Sequence, residues 1–276
     1  MTLAVCSKPV FVIGSPRSGT SILAWSLAQH PDMWTSSETD FLHHLFGRGH
    51  LDEAFVQAEE RATGGWLKEQ GISRPEFLEF LGLGINAVIT SRSGGRRWVD
   101  QSPTYTLMVS SLAALFPDAF FLHIFRDGRK VVNSMLNSGF ETPWAKDFPT
   151  ACQTWARFAE VAMTFRDQNP SRGMTVLLDE LAENPSERFD EILDFLQAER
   201  HEGPAEFLAS HRINSSFDPR SQRGREGWRG EGAPTRSEGD PADPWSAWTD
   251  EQREIFVREA GEQLVRYGLA DRSELS

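Results

Sequence analysis

The sequence predicts an α/β fold in three layers, with a central, mainly parallel sheet flanked by helices. Three observations point to it. Short β-rich apolar runs alternate with longer runs of helical period, the pattern of strands joined through helical crossovers. Val10 to Ile13 is an unbroken apolar run, as a strand buried on both faces requires. Directly after it, Gly14-Ser-Pro-Arg-Ser-Gly19 makes a glycine-rich turn into a helical run. The 276 residues, at roughly 150 per domain as a loose prior, fit one large domain or two small ones. No repeat or low-complexity linker divides them, so a single domain over 1–276 is expected.

The elements follow in order. After the first strand and GSPRSGTS comes the helical run ILAWSLAQ, which His30-Pro31 ends, because the residue before a proline disfavours helical backbone. Phe77 to Ile89 and Tyr105 to Leu115 read as helices, and Arg97 to Asp100 and Ala119 to Phe125 as strands. A helix over about Ala151 to Asp167 precedes a strand at Met174 to Leu178. Pro185 opens an amphipathic helix, Glu187 to Leu196, with Phe189, Ile192, Leu193 and Leu196 on one face. Thr249-Asp-Glu-Gln252 has capping-box spacing and starts a last helix running to Tyr267-Gly268.

Two regions break this rhythm. Gly47 to Gly71 is polar and glycine-punctuated, expected as a helical excursion from the sheet. Arg212 to Arg236 carries six Arg against three acids. It reads either as an exposed loop or as an anion-binding lid, within a segment of about 212–246.

Charge and composition exclude several functions. Lys and Arg number 28 against 40 Asp and Glu, a formal charge of −12. Such a surface repels polyanions, so no nucleic-acid partner is expected, although a small anion can still enter a locally basic pocket. Cys6 and Cys152 are the two cysteines, too few for a disulfide framework or a thiolate zinc site. No run approaches the ~18 apolar residues of a membrane span. The first residues lack a basic stretch, and Lys8-Pro9 interrupts any signal-like core. A cytoplasmic protein without a transmembrane segment is therefore expected. The oligomeric state has no sequence signal.

Chemistry concentrates in two motifs. Gly14 to Gly19, between strand and helix, points backbone N–H groups and the positive end of a helix dipole at one spot, a ready anion site. Against the nucleoside-triphosphate loop G-x-x-x-x-G-K-[ST], the glycines and Ser21 match, but Thr20 stands where the lysine belongs. The cation is Arg17 instead, inside the loop. Without a ligand the same residues are only a tight strand–helix turn. The second motif is AFFLHIF-Arg126-Asp-Gly-Arg129-Lys-Val-Val-Asn-Ser134. A buried strand delivers Arg126 at its C-terminal end, where open α/β sheets bind ligands. A guanidinium there can grip a phosphate bidentately, with a hydroxyl further along adding a bond. The alternative is an Arg/Asp network at a strand end.

Together, GSPRSGTS and FRDGRKVVNS resemble the cofactor signatures of sulfotransferases that use 3′-phosphoadenosine 5′-phosphosulfate (PAPS), releasing 3′-phosphoadenosine 5′-phosphate (PAP). The RDGR form is similar to the branch holding tyrosylprotein sulfotransferases and many bacterial enzymes. WVDQSP, LLDELAENPSERFDEILDFL and the closing GREGW…W…WT…YG carry the likeness along nearly the whole chain. The resemblance implies a P-loop-type fold and a PAPS-dependent enzyme. It makes Pro16, Arg17, Ser18, Gly19, Thr20 and Ser21 the 5′-phosphosulfate loop, and Arg126 with Ser134 the 3′-phosphate clamp. It also suggests Arg223 and Arg225, with Gly224 and Gly227 beside them, as a second hold on that phosphate. Trp228 would stack on adenine or anchor the lid.

Sulfuryl transfer, like phosphoryl transfer, asks for in-line positioning and charge stabilisation, which Arg17 and loop N–H groups can supply without a metal. An acceptor hydroxyl also needs a general base. The residues nominate Glu38 in TSSETDF, with Asp40, His43, His44 and His123 competing. The bland readings are a helix N-terminal Glu or an Asp40 cap, surface or pocket-lining His43 and His44, and a core His123. The resemblance favours Glu38, since the branch's catalytic glutamate follows its loop arginine at the Arg17–Glu38 spacing. One position departs from the family: many relatives carry lysine in an acid-Lys-Ser/Thr-Pro segment, and here Gln101 stands in Asp100-Gln-Ser-Pro103.

The expected function is sulfuryl transfer from PAPS to an acceptor hydroxyl on a small or hydrophobic molecule, aromatic or lipid-like. Phe41 to Phe46, Phe140, Trp144 and Phe148 would shape an apolar mouth, unless they are core. Two alternatives stand beside it. One is a P-loop kinase-like phosphotransferase using Asp100 or Asp127 as magnesium ligands. The other is a catalytically silent nucleotide-binding protein.

Overall fold

The computed structural model describes residues 4–47, 55–56, 65–138, 143–213, 228–229 and 243–275. At its centre lies a five-stranded sheet in the order β2-β3-β1-β4-β5. The strands are β1 (Val10–Ile13), β2 (Met33–Thr35), β3 (Arg97–Gln101), β4 (Phe120–Phe125) and β5 (Gly173–Leu177). Every neighbouring pair is parallel. The expected three-layer α/β architecture is therefore what the chain adopts, and all five strands open their carboxyl ends along one edge.

Strand alternation divides the core. Val10 and Val12 face one layer, packed with Leu23, Leu27, Phe189 and Ile192. Phe11 and Ile13 face the other, among Trp98, Tyr105, Phe121 and Phe165. Phe11 stacks on Phe121 at 5.4 Å and meets the edge of Trp98 at 5.4 Å, the two geometries that aromatic quadrupoles favour. A third cluster, Phe125, Val131, Val132, Trp155 and Phe256, packs behind the end of β4. Each such fully buried side chain contributes about 1.5–3 kcal/mol.

Local signals explain the helices. Helix α1 (Thr20–Leu27) follows the glycine loop directly. The helix expected over Phe77–Ile89 is longer, Arg74–Ser93, because Ser73 and Glu76 form a reciprocal capping box and Gly94 ends it in left-handed backbone. The amphipathic helix after Asn184 runs Pro185–Phe195, burying Phe189, Ile192 and Leu193. Thr249 and Gln252 cap the helix Asp250–Arg266 as their spacing predicts.

Elsewhere the structure differs from the sequence expectation. Tyr105–Leu115 is not one helix: Pro103–Met108 forms a tighter 3₁₀ turn ahead of the α-helix Val109–Leu115. In that turn Thr106 reaches back to the first strand's end. Strand β2 escaped the period-based reading because three residues show no alternation. It exists through pairing with β3 and through the Thr35 hydroxyl, which donates to the Val99 carbonyl at 2.8 Å. Two further helices, α2 (Phe41–Phe46) and Gly128–Leu136, follow the two regions that carry the predicted chemistry. The Gly47–Gly71 excursion falls largely outside the described residues, and so does most of 212–246.

Candidate active site

Parallel strands bring three segments to one edge: the loop after β1, the end of β3 and the segment after β4. The loop is built tightly. Gly14 N–H donates to the Thr106 hydroxyl at 2.8 Å, and that hydroxyl donates to the Gly14 carbonyl at 3.0 Å. Ser18 N–H closes a turn onto the Ser15 carbonyl at 3.1 Å. Arg17 sits at φ 70 and Gly19 at φ 100. Left-handed backbone is free for the glycine but costs roughly 1–2 kcal/mol for a residue with a Cβ, so the fold holds Arg17 there against its preference. Gly19 caps α1 with no side-chain bond, and no acid occupies the first turn. The first amides therefore keep their donors for an anion.

The predicted residues of the two motifs meet at Arg17. Its Nε donates to Ser134 Oγ at 3.2 Å, and Arg126 Nη1 donates to the Arg17 carbonyl at 3.3 Å. Behind them the turn is fixed. Trp155 Nε1 donates to the Arg126 carbonyl at 3.3 Å. Asp127 caps the Gly128–Leu136 helix by accepting from Arg129 N at 2.8 Å, and pairs with the Arg129 guanidinium at 2.6 Å. Gly128 is required there, since a Cβ would lie 2.7 Å from the Trp155 ring.

The end of β3 completes the edge. Ser21 Oγ donates to Gln101 Oε1 at 3.2 Å. Gln101 is 1% exposed, yet its Nε2 has no hydrogen-bond partner. An orphaned buried donor costs about 1–3 kcal/mol, and an anion in the loop is the kind of partner that satisfies it. The loop amides, Arg17, Arg126 and this donor fit a phosphate or sulfate group.

Glu38 lies half-buried in the irregular 36–40 segment between β2 and α2. Its neighbour Thr39 donates to Asp100 Oδ2 at 2.6 Å and contacts the Tyr105 hydroxyl at 2.5 Å, which attaches the segment to the end of β3. Burial pushes the Asp100 carboxyl up to about 7, the Thr39 bond partly opposing it. Asp40 occupies the N-cap position of α2 without a side-chain cap bond, and accepts from Thr104 at 3.4 Å instead. His123 is a core residue: burial pulls it down to about 3, and its Nδ1 meets the Tyr267 hydroxyl at 3.3 Å. His43 and His44 lie on α2 with rings 6.0 Å apart.

The expected apolar mouth is partly core. Phe148 packs on Trp248 at 4.9 Å and Trp144 on Phe158 at 6.0 Å, whereas Phe41 and Leu45 on α2 stay 38% and 53% exposed. Phe140, Arg223, Gly224, Arg225 and Gly227 lie outside the described residues. The magnesium ligands of the kinase-like alternative are already engaged, Asp127 by Arg129 and the helix cap, and Asp100 by Thr39. Sequence reasoning missed Thr39, Tyr105 and Thr106. A polar residue inside an otherwise apolar helical run was the available signal for Thr106.

Comparison with known proteins adds to this geometry. A profile described as "Sulfotransferase family" matches residues 9–202. Protein-tyrosine sulfotransferase of Drosophila melanogaster is 28% identical over 194 residues, covering 68% of this chain and 37% of that protein. A putative protein-tyrosine sulfotransferase of Caenorhabditis briggsae is 24% identical over 193 residues, covering 68% and 64%. Nodulation protein NoeE of Sinorhizobium fredii is 28% identical over 150 residues, covering 50% and 33%. The matches thus span between 33% and 64% of these curated relatives' lengths.

Among solved structures, the sulfotransferase domain from the curacin biosynthetic pathway has a TM-score of 0.55 at 18% identity, covering 92% of this chain and 98% of that one. A mouse sulfotransferase complexed with PAP has a TM-score of 0.53 at 12% identity, covering 97% and 87%. These identities speak to fold alone.

Proposed function

This chain belongs to the sulfotransferase family, and from that premise we propose that it transfers a sulfuryl group from PAPS to an acceptor hydroxyl, with Glu38 as general base. The observation that carries the reading is the junction at Arg17, where the loop meets the Arg126/Ser134 segment. One cradle for a 5′-phosphosulfate and one clamp for a 3′-phosphate then stand side by side, a pairing for which a nucleoside triphosphate has no use.

PAPS supplies an activated sulfuryl group with a phosphate as its leaving group. The chain's residues do the rest. Pro16, Ser18, Gly19, Thr20 and Ser21 shape the loop whose amides bind the phosphosulfate, and Arg17 offsets charge developing on the leaving phosphate. Arg126 and Ser134 hold the 3′-phosphate, and Arg223 and Arg225, outside the described residues, would add a second hold on it within one domain spanning 1–276. Glu38 takes the acceptor's proton as its oxygen forms the new S–O bond and the S–O bond to the phosphate breaks, releasing PAP. Gln101 contributes neutral hydrogen bonds where many relatives carry lysine.

The acceptor in this reading is small or hydrophobic, with an aromatic hydroxyl or a lipid-like body. Exposed Phe41 and Leu45 follow Glu38 on α2 and support it. The names of the curated relatives fit a phenolic group. A cytoplasmic location belongs to the same proposal; among the described residues no helix is long and apolar enough to cross a membrane.

Calorimetric titration with PAP, beside ADP plus magnesium at one ionic strength, tests the cofactor. Binding of PAP with little of ADP is the expected outcome. Preference for ADP with magnesium, or binding of neither, overturns it.

A further inference from the structure

The segment that carries Glu38 has no regular secondary structure, so something other than a backbone ladder must fix its place. Thr39 provides the attachment. Its hydroxyl has a single proton, given to Asp100 Oδ2 at 2.6 Å, so the Tyr105 hydroxyl, 2.5 Å away, is the donor of the second bond. The chain runs Tyr105 O–H to Thr39 O–H to Asp100 carboxylate, and bonds in such a series polarise one another.

Both anchors are rigid. Asp100 is 5% exposed at the end of β3, and Tyr105 is wholly buried with its ring edge-on to Phe11 at 6.2 Å. Protonation of Asp100 reverses the donors without breaking the series, because Asp100 then gives to Thr39, Thr39 to Tyr105, and Tyr105 to the neighbouring Ser102 hydroxyl. The contact therefore holds the segment in either state. Beyond it, Asp40 takes φ 31, a left-handed conformation that persists only where surrounding contacts over-determine it. The Thr104 bond to Asp40 is a further contact on the same segment.

The geometry points to Thr39, Asp100 and Tyr105 as positioning residues, a hydrogen-bonded tether that fixes the 36–40 segment, and with it the Glu38 carboxylate, on the end of β3. The functional half of this inference rests on Glu38 being the base. The tether itself does not, and the two are separated by experiment.

Hydrogen exchange of the full chain with PAP reads the tether directly. Thr39→Val removes the hydroxyl at constant shape, Tyr105→Phe removes its phenolic partner together with that phenol's contacts to Leu42 and Ser102, and Thr39→Ser restores the hydroxyl. Exchange across 36–40 should rise about tenfold in Thr39→Val, rise less in Tyr105→Phe, and return to the wild-type rate in Thr39→Ser. Protection in β1 and β4 should stay unchanged. Unaltered exchange in Thr39→Val, or a Ser variant as loosened as the Val variant, overturns the tether.

Steady-state turnover of PAPS with 2-naphthol as probe phenol supplies the second readout. Thr39→Val should lower kcat about tenfold at constant KM for PAPS, with Ser recovering it. Wild-type turnover in Glu38→Gln would remove Glu38 as base while leaving the exchange result to decide the tether.

Discussion

Arg17 and Ser134, far apart in sequence, meet in space: the Arg17 Nε donates to the Ser134 hydroxyl at 3.2 Å. That bond joins the glycine-rich loop of β1 to the helix after β4. With Arg126 bonded to the Arg17 carbonyl, the loop's cation and the strand-end guanidinium form one unit whose parts no single segment supplies.

Arg126→Ala tests this unit. It removes a guanidinium proposed to grip the 3′-phosphate and a brace on the loop. Charge-assisted bonds of this kind are worth about 1.5–3 kcal/mol, so PAP affinity should fall about tenfold to a hundredfold by calorimetry, while the melting temperature moves little.

Glu38→Gln separates an enzyme from a silent binding protein. A general base contributes typically about 10²–10⁴ in rate, so turnover should fall by that order. PAP affinity should stay within about twofold, because the base acts on the acceptor and not on the nucleotide. Retained turnover would pass the role to another group.

Gln101→Met removes the orphaned Nε2 at nearly constant volume. Relief of the penalty for the unsatisfied donor is offset by loss of the Ser21 hydroxyl's bond to Oε1, so the unliganded protein's stability should change by less than about 1 kcal/mol. Turnover should drop about tenfold or more if that amide meets the transferring group. A loss in kcat at a nearly constant melting temperature would mark the position as functional; a loss in both would make it structural.

Asp100 links stability to pH. Its folded carboxyl titrates near 7, above the ~3.9 of an unfolded aspartate. Between those values the folded state binds more protons, so this group's contribution to stability is complete below about 4, declines as pH rises, and is lost above about 7. Asp100→Asn should flatten that part of the pH profile of the melting temperature between about 4 and 7. An unchanged slope would place the titration elsewhere.

The elements legible in the sequence were those that carry their own reason locally. Val10–Ile13 is apolar at every position because both its faces are buried. The Gly14–Gly19 turn declares its left-handed backbone through Gly19. The Thr249 cap acts within one helical turn, and Arg126 and Ser134 stand out by charge and hydroxyl at a strand end. From these the α/β class, the family and a candidate anion loop follow without coordinates.

Tertiary structure decided what depends on partners distant in sequence. β2 is a strand through β3, and Thr106 is a loop brace through Gly14. Thr39 matters through Asp100 and Tyr105, 61 and 66 residues away. Phe148, expected at a substrate mouth, packs instead on Trp248. A hydrogen bond or ring contact has a range of a few ångströms and no memory of chain separation, so periodicity records which face of an element is buried but not which side chain waits on the other side.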